Sequence, residues 1–198
     1  MNWQQLIPAV MDELHGASEG NSCIMAAAVL LDVLRAKGIK GAYPLTVKVQ
    51  ILNPKFTERL SSDPFPRTAE EIEQWRKDNC AMVAIGHGDA PSSHWPAHLV
   101  VIIPKALNGK DALCDLTIGQ ASVPAWDIVL GPTVLGVRDI WITGLEDFGK
   151  VINGCRIIYR AFPDDQSFKQ TPLWKPSLKR ELIVKKVRKK LKDTSLEL

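Results

Sequence analysis

The stretch from Gly20 to Ile39 constrains the fold of this chain more than any other. Asn21 and Ser22 are good N-cap residues, alanine and leucine fill the interior, and Gly38 stands where a left-handed C′ residue belongs. Cys23 falls in the first turn, where unpaired backbone N–H groups and the positive end of the helix dipole favour thiolate over thiol. The pattern predicts a buried helix with a cysteine nucleophile at its N-terminus. The alternative is that Cys23 is simply one more small apolar residue on a buried helix.

Two apolar segments further along supply partners for this cysteine. Residues 97–103 and 112–117 are typical of strands, and Asn108-Gly109 between them is a β-hairpin signal. His98 begins the first strand and Asp115 lies well inside the second. A carboxylate in an apolar strand is costly to bury unless it is paired, and a histidine on the neighbouring antiparallel strand is its natural partner. The chain therefore offers a nucleophile, a base and an orienting carboxylate, in that order.

Two blocks of sequence resemble the transglutaminase-like branch of the papain-like cysteine enzymes. The first is Gly20-x-x-Cys23 followed by an alanine- and leucine-rich helix that ends Leu34-Arg35-Ala36-x-Gly38-Ile39. The second is Ala97-His98-x-Val100, followed across the hairpin by Asp115-Leu116-Thr117. The resemblance implies a Cys23, His98 and Asp115 triad. It also implies an α+β fold in which an antiparallel sheet packs against the N-terminal cysteine-bearing helix.

The remaining segments are consistent with this fold class. We expect an N-terminal helix over residues 3–14, strands over 45–51, 80–85, 139–143 and 154–162, and a turn over 144–149. Residues 55–94 are predicted to be an insertion, with a helix opened by the capping box Thr68-Ala-Glu-Glu71. Residues 1–174 then form the catalytic domain, and residues 175–198 form a basic helical tail.

Composition narrows the setting of the protein. Four cysteines are spread widely with no C-x-x-C pair, so neither a zinc site nor a disulfide framework is indicated. Met1 to Gln5 lacks the basic region of a signal peptide, and no apolar run reaches transmembrane length. We therefore expect a cytoplasmic protein with reduced cysteines and no membrane partner.

The positive charge of the chain is concentrated in its C-terminal segment. Residues 175–192 contain nine Lys or Arg and one Glu, whereas residues 1–174 contain 16 basic and 19 acidic side chains. Leu178, Leu182, Val187 and Leu191 are predicted to share one side of a helix, with lysines on the rest. The segment either docks on the body through this stripe or presents its lysines to an acidic partner or nucleic acid.

Three further residues are candidates for binding the substrate. Asn21 and Gln120 could each donate a side-chain N–H to an oxyanion, with Asn21 better explained as a helix cap. Trp95, three residues before His98, could form a wall of the cleft or simply pack. His87 and His94 lie in a Gly- and Ser-rich loop and read as solvated histidines rather than metal ligands. No residue pattern implies a metal or another cofactor.

The expected activity is that of a thiol-dependent hydrolase or acyltransferase acting on a protein or peptide. Cys23 would attack an amide-type carbonyl and form a thioester, with hydrolysis as the leading outcome. The chain lacks the Arg-Gly-Gly approach to the cysteine of arylamine N-acetyltransferases, which disfavours acetyl-coenzyme A as donor. The alternatives are transamidation or protein deamidation, and a non-catalytic binding protein that uses its basic tail.

Overall fold

The computed structural model describes residues 2–19, 22–86 and 97–193. Within these ranges it contains six α-helices and a seven-stranded sheet. The helices are α1 (Trp3–Gly16), α2 (Cys23–Ala36), α3 (Pro54–Arg59), α4 (Ala69–Lys77), α5 (Asp139–Ile142) and α6 (Leu178–Asp193). The strands are β1 (Tyr43–Leu52), β2 (Met82–Ile85), β3 (His98–Leu107), β4 (Lys110–Asp115), β5 (Thr133–Val137), β6 (Phe148–Ile152) and β7 (Cys155–Phe162). The α+β class expected from the sequence is confirmed.

The sheet is antiparallel at every pairing, in the order β5-β4-β3-β1-β7-β6. Strand β2 pairs with β1 beyond the end of β3: Val49 lies opposite Ile85, and Val47 lies opposite His98. Strand β2 therefore ends at Ile85 and β3 begins at His98 beside neighbouring parts of β1. His98 is the first residue of its strand, next to the place where the partner of β1 changes from β3 to β2.

Two apolar cores lie on opposite faces of the sheet. Helices α1, α2 and α6 cover the outer face, against alternate residues of β3 and β4 such as Leu99, Val101 and Cys114. The other face forms an inner core to which β1, β3, β4, β5 and β7 all contribute, including Val100, Leu113 and Tyr159. The division follows from the geometry of a β-strand, in which successive side chains point to opposite faces of the sheet.

Helix α2 begins and ends close to where its sequence indicates. The Ser22 hydroxyl accepts a hydrogen bond of 3.2 Å from the backbone N–H of Met25, which makes Ser22 the N-cap. Gly38 adopts a φ of +85°, the left-handed conformation expected of a residue after the helix end. Ten of the 14 residues of α2 are buried. Cys23 is the first residue of this helix and packs, partly buried, against the core on the outer face of the sheet.

Residues 54–79 form two helices that lie outside the sheet. The capping box of α4 is present, with reciprocal hydrogen bonds between Thr68 and Glu71. Asn53, which is fully buried, donates its side-chain amide to the carbonyls of Asn79 and Trp126 at 2.7 and 3.0 Å. The buried amide of Asn53, at the start of this helical segment, is thus hydrogen-bonded both to the end of the segment at Asn79 and to Trp126 in the body of the protein.

The expectation of a strand over residues 139–143 was wrong, because that segment forms the short helix α5. Trp141 is buried there, and its indole N–H donates to the Tyr159 carbonyl at 3.0 Å. A short apolar run has no periodicity that separates helix from strand, so the tertiary contact of Trp141 decides. The turn expected over residues 144–149 was too long, since β6 begins at Phe148.

Helix α6 packs against α1 and α2 rather than extending from the body. Its buried residues are Arg180, Ile183, Val187 and Leu191, whereas Leu178 and Leu182 are 72% and 49% exposed. The predicted apolar stripe was therefore half wrong. Four cations of α6 form five ion pairs across this contact: Lys179 with Glu19, Arg180 with Asp32, Lys186 with Glu13, and Lys190 with both Asp12 and Glu13.

No helix in the described ranges combines the length and the apolar character needed to cross a membrane.

Candidate functional site

Residues His98 and Asp115 form a buried pair at the ends of two adjacent strands. Nε2 of His98 lies 2.8 Å from Oδ1 of Asp115, and both side chains are completely inaccessible to solvent. The register of β3 and β4, with Val101 opposite Cys114, puts the two side chains on the same face of the sheet. The pairing expected from the sequence is present in the structure.

The two-residue turn of the hairpin sets this register. Leu107 pairs with Lys110, and Asn108 and Gly109 adopt φ values of +49° and +80° between them. Positive φ at both central residues is the hairpin turn that Asn-Gly favours. The register shifts between Ile103 and Leu107, whereas the pairs from Val101 to Ile103, nearer the site, are regular.

The Asp115 carboxylate is held by three donors from different elements. Besides His98, its Oδ1 accepts the backbone N–H of Thr117 at 3.2 Å, and its Oδ2 accepts the Tyr159 hydroxyl at 3.0 Å. Burial, together with the charge of Asp115, raises the pKa of Tyr159 well above its usual value, so the phenol remains a donor. A carboxylate fixed at both oxygens is suited to orienting an imidazole ring.

Cys23 lies within interaction range of the same imidazole, at the N-terminus of α2. Burial by itself would lower the pKa of His98, but the charge and hydrogen bond of Asp115, with a contribution from Cys23, raise it to about 10. Alternation along β3 assigns His98 to the inner face, whereas Cys23 packs against the core on the outer face. The interaction between them is therefore made at the end of the strand, where His98 is the first residue. Cys23 is partly exposed, whereas His98 is completely buried, so of these two residues only Cys23 is open to solvent.

Gln120 borders the second ring nitrogen of His98. Its Nε2 lies 3.2 Å from Nδ1, and a 3₁₀ turn over Ile118–Ala121 positions it directly after β4. When the imidazole is neutral with its proton on Nε2, Nδ1 accepts one of the two N–H groups of this amide, and the other N–H remains for another acceptor. Gln120 therefore stands beside the reacting side of the imidazole, where the sequence interpretation expected a substrate-contacting residue. Its function as an oxyanion donor stays a prediction.

The other two predicted site residues, Asn21 and Trp95, lie outside the described residues, as do His87 and His94. In the described part of the chain, no three His, Cys, Asp or Glu side chains are grouped as metal ligands would be. Sequence reasoning missed Tyr159, which lies on β7, far from the triad motifs. Thr117 was part of the motif identified in the sequence, but its contacts were not foreseen: its backbone N–H donates to Asp115, and its hydroxyl is buried with no hydrogen-bond partner among the described residues.

The other three cysteines lie in environments that differ from that of Cys23. All three are buried, and burial raises the pKa of Cys80, of Cys155 and, to about 12, of Cys114. An apolar cavity of about 570 Å³ adjoins Cys80 between Phe56, Trp75 and Trp126, but no triad residue lines it. The candidate chemistry and this cavity therefore belong to different parts of the molecule.

Comparison of the chain with protein-family models, with curated proteins and with solved structures gave no match. The likeness to transglutaminase-like enzymes accordingly rests on the sequence motifs, and the structure assigns the chain to the α+β class with an antiparallel sheet.

Proposed function

We propose that this protein is a thiol-dependent hydrolase or acyltransferase with a papain-like arrangement of Cys23, His98 and Asp115. The observation that carries the proposal is the single imidazole contacted by both other residues: Asp115 at Nε2 over 2.8 Å, and Cys23 in interaction range. Covalent catalysis by a weakly nucleophilic side chain requires a base that contacts the nucleophile and a third group that orients the base. The buried, three-fold hydrogen-bonded carboxylate supports the orienting role.

The reaction follows from these positions. The Cys23 thiol gives its proton to His98, and the thiolate attacks the carbonyl carbon, forming a C–S bond. Collapse of the tetrahedral intermediate breaks the C–N bond, and the imidazolium returns the proton to the departing amine. Water or a second amine then attacks the thioester with His98 as base, which regenerates the thiol. Hydrolysis, deamidation and transamidation differ only in the leaving group and in the molecule that attacks at this last step.

The developing oxyanion needs hydrogen-bond donors near the sulfur. Cys23 is the first residue of α2, so its backbone N–H has no acceptor within the helix, and the positive end of the helix dipole adds to its effect. Gln120 is our candidate for the second donor, because its amide borders the same imidazole. Removing one oxyanion donor typically reduces kcat by roughly 10²- to 10³-fold.

A simple aryl ester tests the proposal without knowledge of the natural substrate. Mixed with p-nitrophenyl acetate, the wild-type protein should release a burst of about one p-nitrophenolate per chain and carry an acetyl group on Cys23 by mass spectrometry. The Cys23→Ala variant should give no burst, whereas Cys80→Ala, a matched loss of another cysteine, should retain it. A burst that survives Cys23→Ala would refute the assignment of the nucleophile.

A second candidate function is the binding of nucleic acid or an acidic partner by α6, and one observation favours it. Four exposed cations of this helix make no ion pair with any residue whose side chain the structure describes: Lys185, Arg188, Lys189 and Lys192. The other α6 cations are paired with acids of α1, of α2 or, for Lys179, with Glu19 between these two helices, so the unpaired positive charge of α6 lies on these four residues. Replacing these four residues by Ala should abolish retention on heparin at low salt while leaving the aryl ester burst unchanged.

A further inference from the structure

A cavity of about 580 Å³ lies near the C-terminal end of α2, between that helix, the start of β1 and the segment before α6. Its wall includes Arg35, Tyr43, Lys169, Trp174, Lys175 and Arg180. From Cys23 to Arg35 along α2 the distance is roughly 20 Å at 1.5 Å per residue, so the cavity is separate from the candidate active site.

Two arginines on the cavity wall are fixed by one carboxylate. Arg180 is only 8% exposed, and it donates to Oδ2 of Asp32 at 2.7 Å and to the carbonyl of Trp174 at 2.8 Å. Arg35 donates to the other oxygen of Asp32 at 3.3 Å. Asp32 therefore balances one of these two charges and leaves the other uncompensated.

Two lysines add to this excess of positive charge. Lys169 and Lys175 are exposed, and neither makes an ion pair with an acid in the described part of the chain. Helix α6 begins at Leu178, shortly after Lys175, so the positive end of its dipole lies on the same side. The lining residues of the cavity include no Asp or Glu, and Asp32 beside them is already paired with the two arginines.

Tyr43 contributes a hydroxyl group to the wall of the same cavity. Burial raises the pKa of Tyr43, and the charges of Asp111 and Asp139 raise it further, so the phenol stays neutral. The charges on the wall are the cations of Arg35, Arg180, Lys169 and Lys175. A bound anion should lie at the two lysines.

Trp174 provides a flat wall beside these cations. Its ring packs edge-on against Phe168 at a centroid distance of 4.6 Å, and the Arg180 guanidinium lies 5.9 Å from its centroid. These contacts hold the indole in one orientation. A preorganised aromatic face next to unpaired cations suits a ligand that joins phosphate to a planar ring.

We propose that this cavity binds a phosphate-bearing ligand, with the phosphate between Lys169 and Lys175 and any attached base against Trp174. The proposal is independent of the function proposed for Cys23. Inorganic polyphosphate and a nucleotide share the phosphate chemistry, and they differ in whether the indole contributes to binding.

Isothermal titration of the full chain with inorganic pyrophosphate, ATP and adenosine, at one fixed ionic strength, tests the site. Both anions should bind saturably with one site per chain, and adenosine more weakly than ATP. The double variant Lys169→Ala/Lys175→Ala should raise the Kd for both anions by at least about tenfold. The matched control Lys185→Ala/Lys189→Ala, which also removes two unpaired cations, should change it less than about twofold.

Two results would overturn the proposal. One is the absence of saturable binding by either anion, and the other is an equal loss of affinity in both double variants, which would indicate diffuse attraction to a basic protein.

Thermal unfolding of each variant checks that it is folded. If the double alanine variant has a lower Tm than wild type, the variant Lys169→Gln/Lys175→Gln replaces it. The variant Trp174→Leu distinguishes the two ligand classes. If it weakens the binding of ATP but not of pyrophosphate, the site recognises a nucleotide; if it changes neither affinity, the site recognises the phosphate group alone. Both results support the site.

Discussion

The hydroxyl of Tyr159 donates a hydrogen bond of 3.0 Å to Oδ2 of Asp115, although β3 and β1 separate their two strands in the sheet. The bond therefore crosses the inner core and joins β7 to β4 directly. It occupies one oxygen of the carboxylate and leaves the other for His98 and the Thr117 N–H. Tyr159 is thus a positioning residue for the candidate triad.

Replacing Tyr159 with Phe should destabilise the protein by about 1–3 kcal/mol, because a buried carboxylate loses a donor that no water can easily replace. The free energy of unfolding from urea titration measures this. The matched control is Tyr43→Phe, the same change at the half-buried second tyrosine, for which we expect a loss within about 0.5 kcal/mol. A positioning role also predicts that Tyr159→Phe shifts the pH–rate profile of Cys23 alkylation; equal effects of the two variants would argue against it.

Alkylation rates should separate Cys23 from the other three cysteines. Cys23 is partly exposed beside an imidazole, while burial raises the pKa of the three others and keeps them from solvent. In the native protein near pH 7, iodoacetamide should label Cys23 first, as followed by peptide mass spectrometry. In urea all four should react at similar rates, and His98→Ala should slow Cys23 in the native state. Native labelling of Cys23 that is no faster than that of Cys80 would count against a catalytic thiol.

The stability of the protein should depend on pH through His98. Asp115 and Cys23 outweigh the effect of burial and raise the pKa of His98 from 6.5 to about 10. Between these values the folded state holds a proton that the unfolded state has lost, so stability falls as the pH rises. Below about pH 6.5 both states are protonated and the contribution is fully present; above about pH 10 it is gone.

Urea titrations of wild type and His98→Gln from pH 6 to pH 10 measure this contribution. The difference in unfolding free energy between the two proteins should shrink steadily across that range, since the variant lacks the titrating group. In a Cys23→Ala background the trend should weaken but persist, because Asp115 remains. Parallel curves for wild type and His98→Gln would show that the imidazole is neutral in the folded protein.

Two adjacent residues of α6 test how this helix docks. Ile183 is 3% exposed and packs in the core with α1 and α2, whereas Leu182 is 49% exposed. Ile183→Ala should cost about 2–5 kcal/mol of unfolding free energy, and Leu182→Ala less than about 0.5 kcal/mol. Thermal and urea unfolding measure both. For the same reason, removal of residues 178–198 should destabilise the whole domain; if truncation leaves the unfolding free energy unchanged, α6 is a separate appendage.

Local sequence determined the elements that carry the candidate chemistry. Ser22 caps α2, Gly38 follows its end, the Thr68 and Glu71 capping box opens α4, and Asn108-Gly109 closes the hairpin. Each of these signals acts through contacts within a few residues, so it can be recognised in the sequence without knowledge of the tertiary structure. Even the pairing of His98 with Asp115 followed from them, because a hairpin puts its two strands side by side.

Some local signals were present but outweighed or overlooked. Asn153-Gly154 lies between Ile152 and Cys155, which pair across the turn, so the same rule that identified the first hairpin would have found β6. Strand β5 is different: Thr133 to Val137 contains a glycine and only partly buried side chains in its first half, and its pairing with β4 is what defines it.

Tertiary structure alone decided the contacts between residues far apart in sequence. Tyr159 reaches Asp115 only because the sheet curves around its inner core, and no local pattern at residue 159 indicates a polar partner. The docking face of α6 depended on acids of α1, of α2 and of the segment between them. These acids pair with Lys179, Arg180, Lys186 and Lys190, whereas Leu178 and Leu182 stay exposed. Helical periodicity determines which residues share a side of the helix. Which side is buried depends on the charges and shape of the neighbouring elements, and only the folded chain brings those elements together.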